Sequence, residues 1–221
     1  MVKAMGDSDI ALPTQDEIDA ALTRFQADWG LVDKVLYDLC AAYPGHDERA
    51  VVTAKIAIVG RVYAAGLERR VTPPAGRQAI EVIGEYAHGH GGEIDEIVHG
   101  LDEVGEPLSA SAMTTVVAQH GRLTTLLQGV ATDGKAPRSF ASKYLHFHRS
   151  VVPIYDEYAR RSLSRLVPWD GSYQSFLLPP EGDQQYWSYC VRFFRLQEAC
   201  REAGVRTTVK MLDALLWAAS T

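Results

Sequence analysis

Residues 139–148 read Ser-Phe-Ala-Ser-Lys-Tyr-Leu-His-Phe-His, and this stretch decides the fold class. Phe140, Tyr144 and Phe147 recur at the spacing that places side chains on one face of an α-helix. A polar stripe that includes Lys143 runs beside them. The stretch therefore predicts a short amphipathic helix, with its aromatic face toward the core and its lysine toward an adjacent surface or cleft.

The next residues, 149–163, read Arg-Ser-Val-Val-Pro-Ile-Tyr-Asp-Glu-Tyr-Ala-Arg-Arg-Ser-Leu. Pro153 disfavours a helical conformation for the residue before it, so the chain is expected to bend here and then enter a second helix. Asp156 falls in the first turn of that predicted helix. The helix dipole and the unpaired N–H groups of a first turn favour an ionised carboxylate there.

The rest of the chain carries the same helical punctuation. Thr14 and Glu17 have the spacing of a capping box, and glycines and prolines mark the later breaks. The breaks divide the chain into an N-terminal pair of helices closed by Pro44 and Gly45, helices at 47–70, 77–88, 93–104, 108–131, 138–148, 154–166, 184–203 and 207–219, and a long loop at 168–183. We therefore predict one all-α domain over 1–221, a compact bundle of eight to ten helices with a flexible segment at 1–12.

Composition sets further bounds on the class of protein. The 221 residues are 47% hydrophobic and 23% charged, which is typical of a globular domain. The three cysteines lie far apart, which argues against a disulfide framework or a structural zinc site. An H-x-H pair, His88 and His90, lacks a carboxylate at a familiar ligand spacing. We expect no metal, no cofactor, no membrane segment, no secretory leader, and a cytoplasmic location.

Charge is distributed unevenly along the chain. The net charge is −6, yet residues 135–166 hold seven lysines and arginines against two acidic residues, a formal +5 that leaves −11 for the remainder. Such a segment is either a chance run of solvated charge or a compact basic face that binds phosphates. On the second interpretation the candidate DNA contacts are Arg138, Ser139, Ser142, His146, Arg149 and Arg161.

Lys143 and Asp156 are the candidate catalytic residues. A lysine amine that loses its proton can attack an electrophilic carbon, and a carboxylate beside it can hold the cation or stabilise an oxocarbenium-like centre. Two ordinary interpretations compete with this one. An exposed lysine is usually a solvated surface group, and Asp156 has the spacing to pair with Arg160 on its own helix.

The two stretches together resemble the helix-hairpin-helix DNA glycosylase superfamily, particularly the 8-oxoguanine DNA glycosylase fold and its bacterial relatives. The resemblance covers about thirty residues, in which Lys143 matches the family's lysine nucleophile and the segment from Val152 to Asp156 matches its aspartate segment. It implies that Lys143 attacks C1′ of a flipped nucleotide and forms a Schiff base, and that Asp156 assists. The family's glycine-rich hairpin is replaced here by residues 135–142, which contain no G-x-G.

A flipped base also needs a pocket. Lys55 and Arg61 are the two charged residues in an otherwise apolar helical run, so they either snorkel at the domain edge or face a pocket, and Lys55 is a reserve nucleophile. Aromatic residues supply stacking surfaces. The base-pocket candidates are Lys55, Arg61, Tyr155, Trp169 and Trp187, although aromatic residues at helical spacing are more often core.

These observations lead to one principal functional hypothesis, a monomeric DNA glycosylase that removes a damaged or modified base, with β-elimination at the resulting site as a second activity. The biological role is then repair or defence against modified phage DNA. The first alternative is a non-catalytic helical module that binds DNA or a partner and retains the glycosylase fold. The second is an enzyme that acts on N-glycosides outside nucleic acid.

Overall fold

The structure is a computed structural model that describes residues 10–169 and 176–219. Within these ranges the chain forms nine α-helices and no strand, which confirms the prediction of an all-α bundle of eight to ten helices. The helices are α1 (Gln15–Ala42), α2 (Arg49–Ala57), α3 (Ala79–Gly89), α4 (Gly91–His99), α5 (Ala110–Gln128), α6 (Arg138–His148), α7 (Glu157–Leu166), α8 (Gln184–Glu202) and α9 (Val209–Ala218).

The N-terminal segment is one long helix, so the predicted pair of helices there is wrong. Thr14 caps α1 as its capping box predicted, because the side chain accepts the N–H of Glu17 and the Glu17 carboxylate accepts the N–H of Thr14. Gly30 lies in the middle of α1 without breaking it. A single glycine costs a helix only about 1 kcal/mol, and the packing of α1 against α9 and α6 outweighs that.

The predicted helix over 47–70 is interrupted, and the interruption shapes the site. Helix α2 ends in one π-helical turn, Ile58–Val62, after which the chain leaves the helix at Tyr63. Ala64 follows with φ +50°, a left-handed conformation that costs a residue with a side chain about 1–2 kcal/mol. A short 3₁₀ turn, Leu67–Arg70, completes the segment. The break turns the backbone of residues 62–65 toward helix α6.

Helix α6 has the predicted bounds and lies between α1 and α5. Both of its stripes are buried, since Phe140, Tyr144, Lys143 and His146 are each at most 7% exposed. Helix α7 begins three residues later than predicted, because Asp156 adopts an extended conformation as its N-cap. The segment between the two helices lies along the polar stripe of α6, which is why that stripe does not face solvent.

The two predicted irregular regions fall partly outside the described residues. The flexible segment was placed at 1–12, of which 1–9 are not described; the N–H of Ala11 donates to the carbonyl of Leu166 at 2.8 Å, so the chain is attached to α7 from there. The loop at 168–183 is described at 168–169 and 176–183, where it contains no helix. In the part of the chain that is described, no helix is long and apolar enough to cross a membrane.

Candidate functional site

Lys143 and Asp156 meet at the wall of a cavity. The Nζ atom of Lys143 lies 3.2 Å from Oδ2 of Asp156 and donates a hydrogen bond to the carbonyl oxygen of Tyr63 at 3.0 Å. Lys143 is only 7% exposed, so packing against α1 and the residue 62–65 turn fixes its side chain. The amine therefore has a defined position, unlike that of a solvated surface lysine. The carbonyl of Tyr63 reaches it because the π-helical turn ends at that residue.

Asp156 is held by its own helix as well as by the lysine. Its Oδ1 accepts the N–H of Ala159 at 2.9 Å, which makes Asp156 the N-cap of α7. The Oγ atom of Ser142 accepts the N–H of Tyr155 at 2.9 Å and so fastens the preceding segment to α6. The prediction that Ser142 binds DNA is therefore wrong, since this side chain is buried and joins two elements of the fold.

The cavity beside the pair has a volume of about 450 Å³, within the range of small-molecule sites. It opens between α1, α9, the start of α7 and the residue 62–65 turn. Its walls are mainly apolar, and the aromatic residues among them are Phe25, Trp29, Tyr63, Tyr158 and Trp217. Such walls suit a planar ring, because aromatic side chains stack on the face of a ring and this stacking depends little on the ring's substituents. Ser139 also lines this cavity.

A second group of polar residues lines the same cavity. The Tyr63 hydroxyl donates to Oδ1 of Asp33 at 2.5 Å, and the amine of Lys210 forms an ion pair with Oδ2. Burial and the Asp33 carboxylate both raise the pKa of Tyr63, so its phenol stays protonated as the donor. Tyr63 thus contacts Lys143 through its carbonyl and Asp33 through its side chain, and it connects the two lysines of the cavity.

Asp213 is the buried carboxyl group of this region. Its Oδ1 accepts the N–H of Ile154 at 3.3 Å, while Oδ2 lies 3.7 Å from Nδ1 of His146 and has no hydrogen-bond partner among the described residues. Burial raises the pKa of Asp213 well above its usual range. A carboxyl group in this position is therefore favoured in its neutral form, which does not leave an uncompensated charge in the interior.

His146 is a structural residue, and the prediction that it contacts DNA is wrong. The ring is fully buried; Nδ1 hydrogen-bonds to the carbonyl of Val152 at 2.7 Å and Nε2 to the hydroxyl of Tyr37 at 2.5 Å. Burial lowers its pKa to about 3, so the ring is neutral. His146 and Lys143 do lie one turn apart on the same helix, but the hydrogen-bond partners of His146 are buried groups of the protein.

Four of the predicted base-pocket residues lie elsewhere in the described part of the chain. Lys55 is fully buried and donates to the carbonyls of Tyr43, at 2.5 Å, and Gly45, so it binds the chain end of α1; burial lowers its pKa. Arg61 is exposed and pairs with Glu68 at 2.8 Å. The other two are Trp169 and Trp187, which pack on each other with ring centroids 6.0 Å apart.

The fifth, Tyr155, is also outside the cavity lining of the described chain. Its ring packs edge-on against Tyr186 and Tyr189, with centroids 6.2 and 5.3 Å apart. Like the two tryptophans it belongs to an aromatic cluster around α8. The aromatic residues that do line the cavity come mostly from the opposite side of the molecule, from α1 and α9. None of the five predicted base-pocket residues lines this cavity among the described residues.

The basic segment is less positive in the fold than in the sequence. Arg138 pairs with Asp183 at 2.6 Å, and Arg149 pairs with Asp102, so two carboxylates from outside residues 135–166 offset its charge. Arg161 pairs with a carboxylate of its own helix, although more than half of its side chain is exposed. Arg161 and Ser139 remain the best placed of the predicted DNA contacts, because Arg161 is largely exposed and Ser139 lines the cavity.

Most of the cavity wall was not predicted from the sequence, and this includes six residues on α1 and α9. Phe25, Trp29 and Asp33 follow each other at intervals of four on α1, and the other three recur along α9. A same-face pattern was therefore visible in both helices, but that pattern is also what a core-facing stripe shows. The six residues are Phe25, Trp29, Asp33, Lys210, Asp213 and Trp217.

The residues that line the cavity determine what chemistry the site can perform. Among the described residues, no group of three or more histidines, cysteines and acidic residues is arranged to hold a metal ion. A lysine amine next to a carboxylate, beside a cavity of aromatic walls, can perform nucleophilic catalysis on a bound ring compound. In comparisons with known proteins, no family model, no curated protein and no solved structure matches this chain.

Proposed function

We propose that this protein is a DNA glycosylase that removes a modified base flipped out of DNA, with Lys143 as the nucleophile. One observation carries the proposal: the amine of Lys143 lies 3.2 Å from the Asp156 carboxylate at the wall of an aromatic cavity. The resemblance of residues 139–163 to the helix-hairpin-helix glycosylases supports the same reaction. We further infer that the protein acts as a cytoplasmic monomer without a cofactor.

The proposed reaction begins with a proton transfer from the Lys143 ammonium to Asp156. The neutral amine attacks C1′ of the flipped nucleotide, the glycosidic C1′–N bond breaks, and the base leaves with the bonding electrons and takes the proton from Asp156. The new secondary ammonium then gives one proton to the ring oxygen as the sugar opens. The product is an iminium ion that joins Lys143 to C1′, the Schiff base from which β-elimination proceeds.

The surroundings of the pair fit the needs of this reaction. The Asp156 side chain lies beside the amine at the cavity wall, and its role as the N-cap of α7 fixes its orientation. A base outside the duplex loses the stacking of its neighbours, and the aromatic walls replace it. Tyr158 is 60% exposed at this cavity, so it offers a stacking surface at the entrance.

The proposal is tested by borohydride trapping. Duplex oligonucleotides that carry an abasic site, 8-oxoguanine, 5-hydroxymethyluracil, 5-hydroxymethylcytosine or glucosylated 5-hydroxymethylcytosine are incubated with the protein and sodium borohydride, which reduces the iminium to a stable amine. We expect a covalent adduct with the wild-type protein, and none with Lys143→Ala.

Lys135→Ala is the matched control, because it removes one positive charge from the same segment at an exposed position. It should trap as well as the wild type. If the wild type forms no adduct with any of the substrates, or if Lys143→Ala traps equally well, the lysine mechanism is wrong. A protein that binds these duplexes without any base release would instead be a non-catalytic DNA-binding module.

A further inference from the structure

Lys210 and Asp33 form an ion pair inside the aromatic cavity, away from the atoms that carry out the proposed reaction. Lys210 lies in the first turn of α9 and Asp33 lies on α1, and both line the cavity. The Lys210 side chain is 26% exposed, whereas that of Asp33 is 6% exposed. The amine is therefore the member of the pair that a ligand can reach.

The hydrogen bonds of this pair leave a donor available. Asp33 uses Oδ1 for the hydroxyl of Tyr63 and Oδ2 for Lys210, so its two oxygens are engaged. An ammonium group has three N–H bonds, and Asp33 takes one of them. The amine also lies 4.4 Å from the ring centroid of Phe25, which holds it against the cavity wall. Asp33 leaves two N–H bonds of the ammonium unused, and Lys210 lines the cavity.

An ion pair in the wall of a mainly apolar cavity is energetically unfavourable. Partial removal of these two charges from water opposes folding, whereas apolar residues of similar size carry no such penalty. Five other lining residues are aromatic and suit a planar ring. A charged donor at one fixed place in such a cavity is an arrangement that distinguishes ligands by the position of an oxygen acceptor.

We propose that Lys210 is a specificity-determining residue that donates a hydrogen bond to an oxygen on the edge of the flipped base, with Asp33 holding its amine in place. The inference rests on the proposed function and deepens it by naming the substrate class, which is bases that carry a hydroxyl or carbonyl oxygen as their modification. Lys143 reacts with the sugar, and Lys210 forms a hydrogen bond with the base.

An abasic site separates these two roles, because it presents the sugar without a base. Trapping at an abasic duplex is compared with excision from matched pairs that differ by one oxygen: 5-hydroxymethyluracil against thymine, 5-hydroxymethylcytosine against 5-methylcytosine, and 8-oxoguanine against guanine. For the wild type we expect the oxygen-bearing member of at least one pair to be excised faster.

For Lys210→Met we expect the ratio of excision of that base to abasic-site trapping to fall by about tenfold to a hundredfold, the usual effect of losing a hydrogen bond from a charged donor. Lys210→Met with Asp33→Asn removes both charges and should show the same fall without a lone buried carboxylate. Lys34→Met is the control, since Lys34 is an exposed lysine of α1 paired with Asp38. Its ratio should equal that of the wild type.

The outcomes are distinguishable. If the wild type traps neither the abasic site nor any base, the proposed function fails and this inference fails with it. If the wild type traps and excises but both Lys210 variants keep the wild-type ratio, the proposed function stands and the role of Lys210 is overturned. Equal excision of both members of all three pairs by the wild type overturns it as well. Abasic-site trapping by the variants reports that they are folded.

Discussion

Lys143 Nζ lies 3.2 Å from Oδ2 of Asp156, and the other oxygen of that carboxylate caps helix α7 through the N–H of Ala159. The cap fixes the carboxylate in the frame of α7, while Lys143 belongs to α6. The relative placement of the amine and its proton acceptor is thus set by how two helices pack. A carboxylate that is oriented by its backbone needs no reorganisation when charge develops beside it.

Substitution of Asp156 separates its two tasks. Asparagine retains the N-cap oxygen and alanine does not, while both remove the charge. We expect Asp156→Asn and Asp156→Ala to lower the rate of adduct formation about 100-fold or more, the usual contribution of general acid–base catalysis. Asp156→Ala should also be less stable than Asp156→Asn by about 1 kcal/mol, the value of an N-cap. Single-turnover trapping and urea unfolding measure the two effects; equal rates for wild type and Asp156→Asn would contradict the catalytic role.

Tyr158 tests the aromatic entrance of the cavity. It is 60% exposed and lines the cavity next to Asp156, so its removal should cost little stability. Base stacking on an aromatic side chain contributes about 1–3 kcal/mol. Tyr158→Ala should therefore weaken binding of the modified duplex by about tenfold or more, as measured by fluorescence anisotropy. Tyr43 is another exposed tyrosine, at 45% exposure, that does not line the cavity, and Tyr43→Ala should bind as the wild type does.

Helix α6 and the closeness of Lys143 to Asp156 were predictable from sequence because both depend on local spacing. The helical periodicity of residues 139–148 and the bend at Pro153 placed α6 correctly and brought Asp156 close to Lys143. The role of Asp156 as N-cap was missed, because the predicted helix began at residue 154 and α7 begins three residues later, at Glu157. Local sequence predicts this much because the spacing of apolar residues shows which face of an amphipathic helix is buried.

The cavity was not predictable in the same way, because it is built from residues far apart in the chain. Phe25 and Trp217 meet edge-on with ring centroids 5.6 Å apart, although they belong to α1 and α9. Each helix shows only that it has an apolar face, and no pattern within a helix states which other helix will face it. The π-helical turn before Tyr63 was likewise invisible, since its residues are compatible with an uninterrupted helix.

Arg138 and Arg161 were both predicted to bind DNA, and the fold separates them. Arg138 is mostly buried and pairs with Asp183, the N-cap of α8, so Arg138→Gln should lower the free energy of unfolding by about 1–2 kcal/mol and leave the salt dependence of DNA binding nearly unchanged. Arg161 is 61% exposed, and its partner Glu157 also binds Arg160. A DNA phosphate can therefore replace Glu157 as the partner of Arg161 with little loss of free energy, because Glu157 keeps its ion pair with Arg160.

For Arg161→Gln we expect the opposite pattern. The slope of the logarithm of the binding constant against the logarithm of salt concentration should decrease in magnitude by about one, because one phosphate contact is lost. Stability should stay within about 0.5 kcal/mol of the wild type, as for other exposed substitutions. Anisotropy titrations at several salt concentrations give the slope. An unchanged slope would remove Arg161 from the DNA-binding surface.

Buried histidines make stability depend on pH. Burial lowers the pKa of His146 to about 3 and that of His120 to about 4, whereas both titrate near 6.5 in the unfolded chain. Between pH 6.5 and 5 the unfolded chain gains these protons and the folded protein does not, so each ring destabilises the fold by about 2 kcal/mol over that range. Asp213 and Glu106 act in the opposite sense, because burial raises the pKa of each.

The histidines outnumber the two acids, since burial also lowers the pKa of His46 and His148. The free energy of unfolding, from urea titrations at pH 5 to 7.5, should therefore fall as the pH is lowered through 6.5. His120→Gln can still donate to the carbonyl of Arg138 but has no titrating ring, so its slope should be smaller by up to about 1.4 kcal/mol per pH unit. A variant with the wild-type slope would show that His120 is protonated in the folded protein as readily as in the unfolded chain.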